Sequence, residues 1–225
     1  MMTQMPSTKK AEAANQIATT ATPLIPLRPT IEKLQHAARN CRACPLWKTG
    51  TQTVFGEGSP KARVLLVGEQ PGNEEDLAGK PFVGPAGKLF DKALAAAGIA
   101  RGQAYVTNVV KHFKWEPRGK RRLHKKPSSG EIAACRPWLE AELGVLQPQV
   151  LICLGATAAQ ALLGKDFRVS QQRGQWVKSE LAPRVMATVH PSSILRAPDE
   201  AARRNQMAQF IADLKLAAEA INKLR

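Results

Sequence analysis

Fourteen residues, Arg63-Val-Leu-Leu-Val-Gly-Glu-Gln-Pro-Gly-Asn-Glu-Glu-Asp76, constrain this chain more than any other stretch. The apolar run Val64 to Val67 has the character of a strand buried on both faces, which only a sheet covered on both sides provides. It breaks at Gly68 into a turn carrying Glu69, Gln70, a proline and a second glycine. Turns at the carboxyl ends of parallel strands are where open α/β sheets place ligands.

The remaining elements repeat that alternation. Ala104 to Val110, Gln149 to Leu154 and Arg184 to Val189 are three further strand-like runs. Between them lie predicted helices near 87–97, 130–143 and 156–163. A last helix beginning at Asp199 spaces Met207, Phe210, Ile211, Leu214 and Ile221 on a helical period. Thr30 can cap a short helix through about Ala38. Residues 164–183 are mixed and could hold a short ribbon. Strands alternating with helices predict an α/β fold: a three-layer α/β/α sandwich on a central, mainly parallel four-stranded sheet. Residues 1–28, rich in Ala, Thr, Gln and Pro, are expected to form a flexible tail. One domain spans 29–225, with a basic insertion at about 111–126.

Thirty-three Lys and Arg against 18 Asp and Glu give a net charge of +15. Such a balance suits a polyanionic partner, because cations that neutralise phosphates release counterions. The charge is clustered: residues 111–126 hold eight Lys or Arg and one acid, Glu116. No run reaches the length of a membrane span, which excludes a membrane partner of that kind. No export signal is evident, so the cytoplasm is the expected compartment. In that compartment Cys41, Cys44, Cys135 and Cys153 are not expected to form two disulfides. Cys41-Arg-Ala-Cys44 is a CxxC pair; the other two lie far off, within a predicted helix and a strand. Spacing leaves a metal site and buried core cysteines open, and it does not separate zinc from an iron–sulfur cluster.

Taken together, Gly68-Glu-Gln-Pro-Gly72, Lys80-Pro-Phe-Val-Gly-Pro-Ala-Gly87, Thr107-Asn108, the four cysteines and His190-Pro-Ser-Ser-Ile-Leu-Arg196 resemble the iron–sulfur uracil-DNA glycosylases, family 4. Gln70 and Lys120-Arg-Arg-Leu-His124 look more narrowly like the UdgX branch. The resemblance runs from about Cys41 to Leu214. It implies a 4Fe-4S cluster on Cys41, Cys44, Cys135 and Cys153, and a monomer acting on uracil-containing DNA, single- or double-stranded.

A glycosylase extracts the base from the stack and stabilises the charge that develops as the C1′–N1 bond breaks. Phe82 offers a flat apolar face for the base, and Asn108 a donor and an acceptor for the uracil N3–H and O4 edge. Gly68 completes the substrate pocket. By resemblance, His190 donates to uracil O2. Ser192, Ser193 and Arg196 are placed to grip phosphates, and Ile194 or Leu195 to wedge into the gap left by the base. Lys120, Arg121 and Arg122 would add attraction to the DNA backbone. Gln70 stands where better-known relatives carry a water-orienting aspartate, and an amide is a poor base. His124, a lone imidazole among cations, is by resemblance a nucleophile toward C1′, with Glu69 accepting or orienting its proton. The expectation is excision followed by covalent capture of the sugar; the alternative is conventional turnover, releasing uracil and leaving an abasic site.

Overall fold

A computed structural model describes residues 20–223. Its centre is a sheet of five strands: β1 (Glu57–Gly58), β2 (Val64–Gly68), β3 (Ala104–Asn108), β6 (Val150–Leu154) and β7 (Arg184–Thr188). They lie in the order β1-β3-β2-β6-β7. The last four pair in parallel, and β1 lies antiparallel against β3. The four expected strands are all present. The fifth is two residues long, too short to leave a periodic signal, and its pairing with Val106 and Tyr105 creates it.

Alternation along these strands builds two cores. Leu65, Val67, Tyr105, Leu151, Cys153 and Val185 face one layer, with α1 (Ile31–Ala38), α4 (Ser129–Leu146) and α5 (Ala156–Leu163). Val64, Leu66, Val106, Ile152, Leu154 and Met186 face the other, with α3 (Pro85–Ala96), α7 (Pro191–Leu195) and α8 (Glu200–Lys223). Both faces are therefore covered, as the apolar runs required. Two short helices, α2 (Asn73–Ala78) and α6 (Val169–Gln172), complete the α-helices among the described residues.

Several boundaries differ from the sequence expectation. Ala21 is fully buried, and its amide donates to Ala134 O at 2.9 Å, so the chain at Ala21, within the expected tail, is docked on α4. The rest of the expected tail, 1–19, lies outside the described residues. Ser128 caps α4 through a capping box with Glu131, but the helix runs past Gly144 to Leu146 because Leu143 and Leu146 are buried against the core. Residues 164–183 hold α6 and one antiparallel bridge, Val177 to Val185, rather than a ribbon.

The basic insertion is a hairpin. Strands β4 (Trp115–Arg118) and β5 (Arg121–His124) pair antiparallel around a tight turn in which Gly119 takes φ +58°. That left-handed conformation is the one glycine reaches without strain. Among the described residues, no helix is long and apolar enough to cross a membrane.

Candidate active site

Strands β2, β3, β6 and β7 end on one side of the sheet, and the loops leaving them surround a cavity of about 720 Å³. Its lining includes Glu69, Gln70, Phe82, Asn108, His124, His190, Ser192, Ser193 and Arg196. Chain segments more than 120 residues apart are thus brought together at the crevice where strand order reverses.

Asn108 ends β3 opposite Gly68. It is 3% exposed, and its side chain makes no hydrogen bond among the described residues. A free amide at a pocket wall can offer one donor and one acceptor to a flat ligand. Gly68 makes room for it: a Cβ there would lie 2.4 Å from Asn108 Oδ1 and 3.1 Å from Phe82 Cζ. Phe82 adopts φ +59°, a strained conformation for a bulky residue and one that clusters at functional sites. Its ring stands 5.0 Å from Phe90 and 5.9 Å from His190.

Glu75, which the sequence reading did not single out, holds this loop. Its carboxylate accepts the Gly84 N–H at 2.8 Å and the Gly72 N–H at 3.0 Å, joining the two walls of the pocket. The signal was present: a glutamate three residues beyond an N-cap is half of a capping box.

His190 caps α7. The Ser192 amide donates to its Nδ1 at 3.2 Å, and Ser192 Oγ lies 2.8 Å from the same atom. A nitrogen that accepts carries no proton, so Nε2 is the protonated nitrogen. Burial, with repulsion from Arg196 and His124 added to it, pushes the imidazole pKa down to about 4. At neutral pH the ring is therefore an uncharged donor through Nε2. Gly155, at φ +90°, lets the β6 loop approach it; a Cβ there would meet His190 Cβ at 3.1 Å.

Ser193 Oγ donates to His190 O at 2.8 Å, so both serine hydroxyls serve His190. Both serines line the cavity beside Arg196, the exposed cation of this loop. The expectation for Ile194 is corrected. It is 0% exposed and packs in the core beneath α7, so of the two wedge candidates only the half-buried Leu195 is open to a partner.

Gln70 ties the turn after β2 to the hairpin. Its Nε2 donates to Lys114 O at 3.1 Å and Lys125 O at 3.0 Å, while its Oε1 accepts the Lys114 N–H at 3.1 Å. The amide is spent on the two strand ends of the hairpin, and it is a clamp rather than a group free to orient water. Beside that clamp, His124 Nε2 stands 3.3 Å from Glu69 Oε1. The contact is close but off-line, and Glu69 Oε1 has no hydrogen-bond partner among the described residues.

The hairpin's cations divide into two groups. Arg122 is internal: it pairs with fully buried Asp76 at 2.6 Å, donates to Asn73 Oδ1 at 2.7 Å, and lies over the rings of Phe113 and Trp115. It anchors the hairpin to α2, which corrects its assignment as a phosphate contact. Asn73 is one end of that anchor. Lys111 is buried, and Lys114 pairs with Glu131 at 2.9 Å. Arg118, Lys120 and Arg121 stay exposed at the hairpin tip.

The four cysteines are buried and unbridged on the α4 side of the sheet. Burial pushes Cys135 and Cys153 up to about 12 and raises Cys44, so the protein alone keeps these thiols neutral. Yet sulfurs here receive donors: Trp138 Nε1–H to Cys41 and the Lys111 N–H to Cys135, each at 3.3 Å. The Trp47 indole N–H, three residues past Cys44, is buried with no partner among the described residues. Donors aimed at sulfur suit thiolates that a cation has deprotonated. No three His, Cys, Asp or Glu side chains among the described residues are gathered as the ligands of a single ion.

Comparison with known proteins places this geometry in context. Residues 55–215 match the family model described as "Uracil DNA glycosylase superfamily". The Type-4 uracil-DNA glycosylase of Pyrobaculum aerophilum is 38% identical over 175 residues, covering 75% of this chain and 86% of that protein. The Type-4 uracil-DNA glycosylase of Thermotoga maritima is also 38% identical over 175 residues, covering 77% and 88%. That of Archaeoglobus fulgidus is 36% identical over 176 residues, covering 75% and 85%.

Proposed function

The chain belongs to the uracil DNA glycosylase superfamily, and from that premise we propose that it excises uracil from DNA and is then captured covalently by the sugar through His124. The observation that carries the second step is the position of His124, on a clamped hairpin, lining the same cavity as Asn108 and His190 with Glu69 at 3.3 Å.

The chemistry follows from the site. Uracil enters against Phe82, and the free Asn108 amide pairs with its N3–H and O4 edge. The C1′–N1 bond breaks with its electron pair leaving on the base, and the Nε2–H of neutral His190 donates to O2, where the negative charge develops. An already neutral donor suits an anionic leaving group, since no proton need be gained first. The electron-poor C1′ then takes the lone pair of an imidazole nitrogen of His124, and the ring's N–H proton passes to the Glu69 carboxylate. The resulting N–C1′ bond has no good leaving group, so the protein is consumed. Arg118, Lys120, Arg121 and Arg196 supply attraction for the phosphates.

Cys41, Cys44, Cys135 and Cys153 are proposed to hold a 4Fe-4S cluster. Four buried thiols, the N–H donors to Cys41 and Cys135 and the unspent Trp47 N–H fit such a group; the resemblance, rather than spacing, selects iron over zinc. Held by these residues, such a cluster would supply a structural cross-link between the loop after α1, α4 and β6.

Conventional turnover is the second reading, and the likeness to the Type-4 proteins favours it. Protein mixed with uracil-containing DNA and resolved on a denaturing gel separates the two. Capture predicts a heat-stable shifted band, one strand per protein, lost in His124→Ser and slowed in Glu69→Gln. Many uracils released per molecule with no shifted band would establish turnover instead.

A further inference from the structure

Behind Asn108 lies a group of charges that the proposed chemistry does not use. Lys111 is 1% exposed and Glu142 0%. Lys111 Nζ reaches Glu142 Oε2, Thr107 Oγ1 at 2.6 Å and the main-chain carbonyl of Asn108 at 2.8 Å. Glu142 also accepts from the Tyr105 hydroxyl and from Thr107 Oγ1, both at 3.0 Å. The Lys111 ammonium lies 5.1 Å from the centre of the Phe55 ring, and the Lys111 N–H is the donor to Cys135 Sγ.

Stability does not account for this arrangement. Taking two charges out of water costs several kcal/mol per ion, and well-packed apolar residues are often as stable. What the pair does provide is a charged donor that reaches the Asn108 carbonyl as well as Glu142 and Thr107. Among the described residues the Asn108 side chain has no hydrogen-bond partner, so where its amide stands depends on the placement of its backbone and on the packing of Gly68 and Phe82 around it. On one side the Val109 N–H is tied to Gly68 O at 2.9 Å. The Asn108 carbonyl, at the last residue of β3, accepts from the Lys111 ammonium. A charge-assisted bond of this kind is about twice as strong as a neutral one.

We propose that Lys111, held in place by Glu142, is a positioning residue for base recognition, pinning the Asn108 carbonyl so that the free amide stands fixed in the pocket. Its own N–H ties the same unit to the cysteine face through Cys135. The inference rests on the reading of Asn108 as the residue that meets uracil.

A double-mutant cycle tests it. Lys111→Met with Glu142→Gln removes both charges while leaving acceptors for Tyr105 and Thr107; Lys111→Leu with Glu142→Leu is the apolar counterpart should the first fail to fold. Each is combined with Asn108→Ala, and uracil release is measured with protein in excess over a uracil-containing single strand. Melting temperature and the visible absorption of the bound cluster are followed in parallel.

The paired variant is expected to slow release by about 10-fold to 100-fold, the scale of a small displacement of a binding group. Its absorption and melting curve should remain close to wild type. Added to Asn108→Ala, it should cost little more, because both changes remove one interaction. Losses that multiply, or a paired variant at wild-type rate, overturn the proposal. Should Asn108→Ala itself release uracil at the wild-type rate, the reading of Asn108 falls first and takes the proposal with it.

Discussion

Replacing Gly68 by alanine tests the pocket at its narrowest point. The new Cβ would lie 2.4 Å from Asn108 Oδ1, against 3.4 Å for the start of ordinary contact, so the amide must retreat by about 1 Å. Phe82 stands 3.1 Å away on the other side and is already held at φ +59°, so it offers little room. A misplacement of about 1 Å can cost roughly 100-fold in rate, equivalent to about 2.7 kcal/mol of barrier. The penalty should fall on catalysis rather than folding, because the displaced atom is the end of a side chain facing the cavity. Single-turnover uracil release should drop accordingly while the melting temperature moves little. Gly102→Ala, where an added Cβ meets nothing within 4 Å, serves as the control. A Gly68→Ala protein releasing uracil within about threefold of wild type would refute the reasoning, since a displaced amide could not then be reading the base.

Gln70→Leu removes three hydrogen bonds, about 1 kcal/mol each, and should loosen the hairpin locally; faster amide exchange across 113–126 with weaker adduct formation is the expected result. Arg122→Gln leaves the buried Asp76 carboxylate unpaired and should cost about 3 kcal/mol of stability without changing the salt slope of DNA binding, whereas Arg121→Gln should lower that slope by about one with stability intact. Thermal melts and binding titrations at several salt concentrations separate those two outcomes. Acid should destabilise the fold through His112, whose burial holds its pKa at about 4 against the usual 6.5. Above 6.5 both states are neutral and the group is silent. Below it the unfolded chain takes up a proton that the folded chain refuses, so up to about 3 kcal/mol is lost by pH 4. His112→Gln should flatten that part of the stability curve. Anaerobically purified protein should contain about four iron atoms per chain, and Cys135→Ser should lower iron content and visible absorption. Stoichiometric zinc without iron would reject the cluster.

The amino-acid sequence by itself determined the layers and the ends of the strands. Apolar runs such as Val64 to Val67 can be buried on both faces only inside a covered sheet, and the polar residues that follow them must then collect at one edge. That is why Glu69, Asn108 and His190 were legible as neighbours although they are far apart in the chain. Pairing across space decided the rest. Strand β1 exists because β3 offers it an edge, and the hairpin's cations could be sorted only once their partners were known. Arg121 and Arg122 are adjacent and chemically identical, yet one faces solvent and the other meets buried Asp76. Ile194 and Leu195 differ as little, and the turn of one short helix puts the first in the core. Composition records that a charge or an apolar group is present; which atom it faces is a property of the tertiary structure, because burial and hydrogen bonding are decided by neighbours that the linear order does not name.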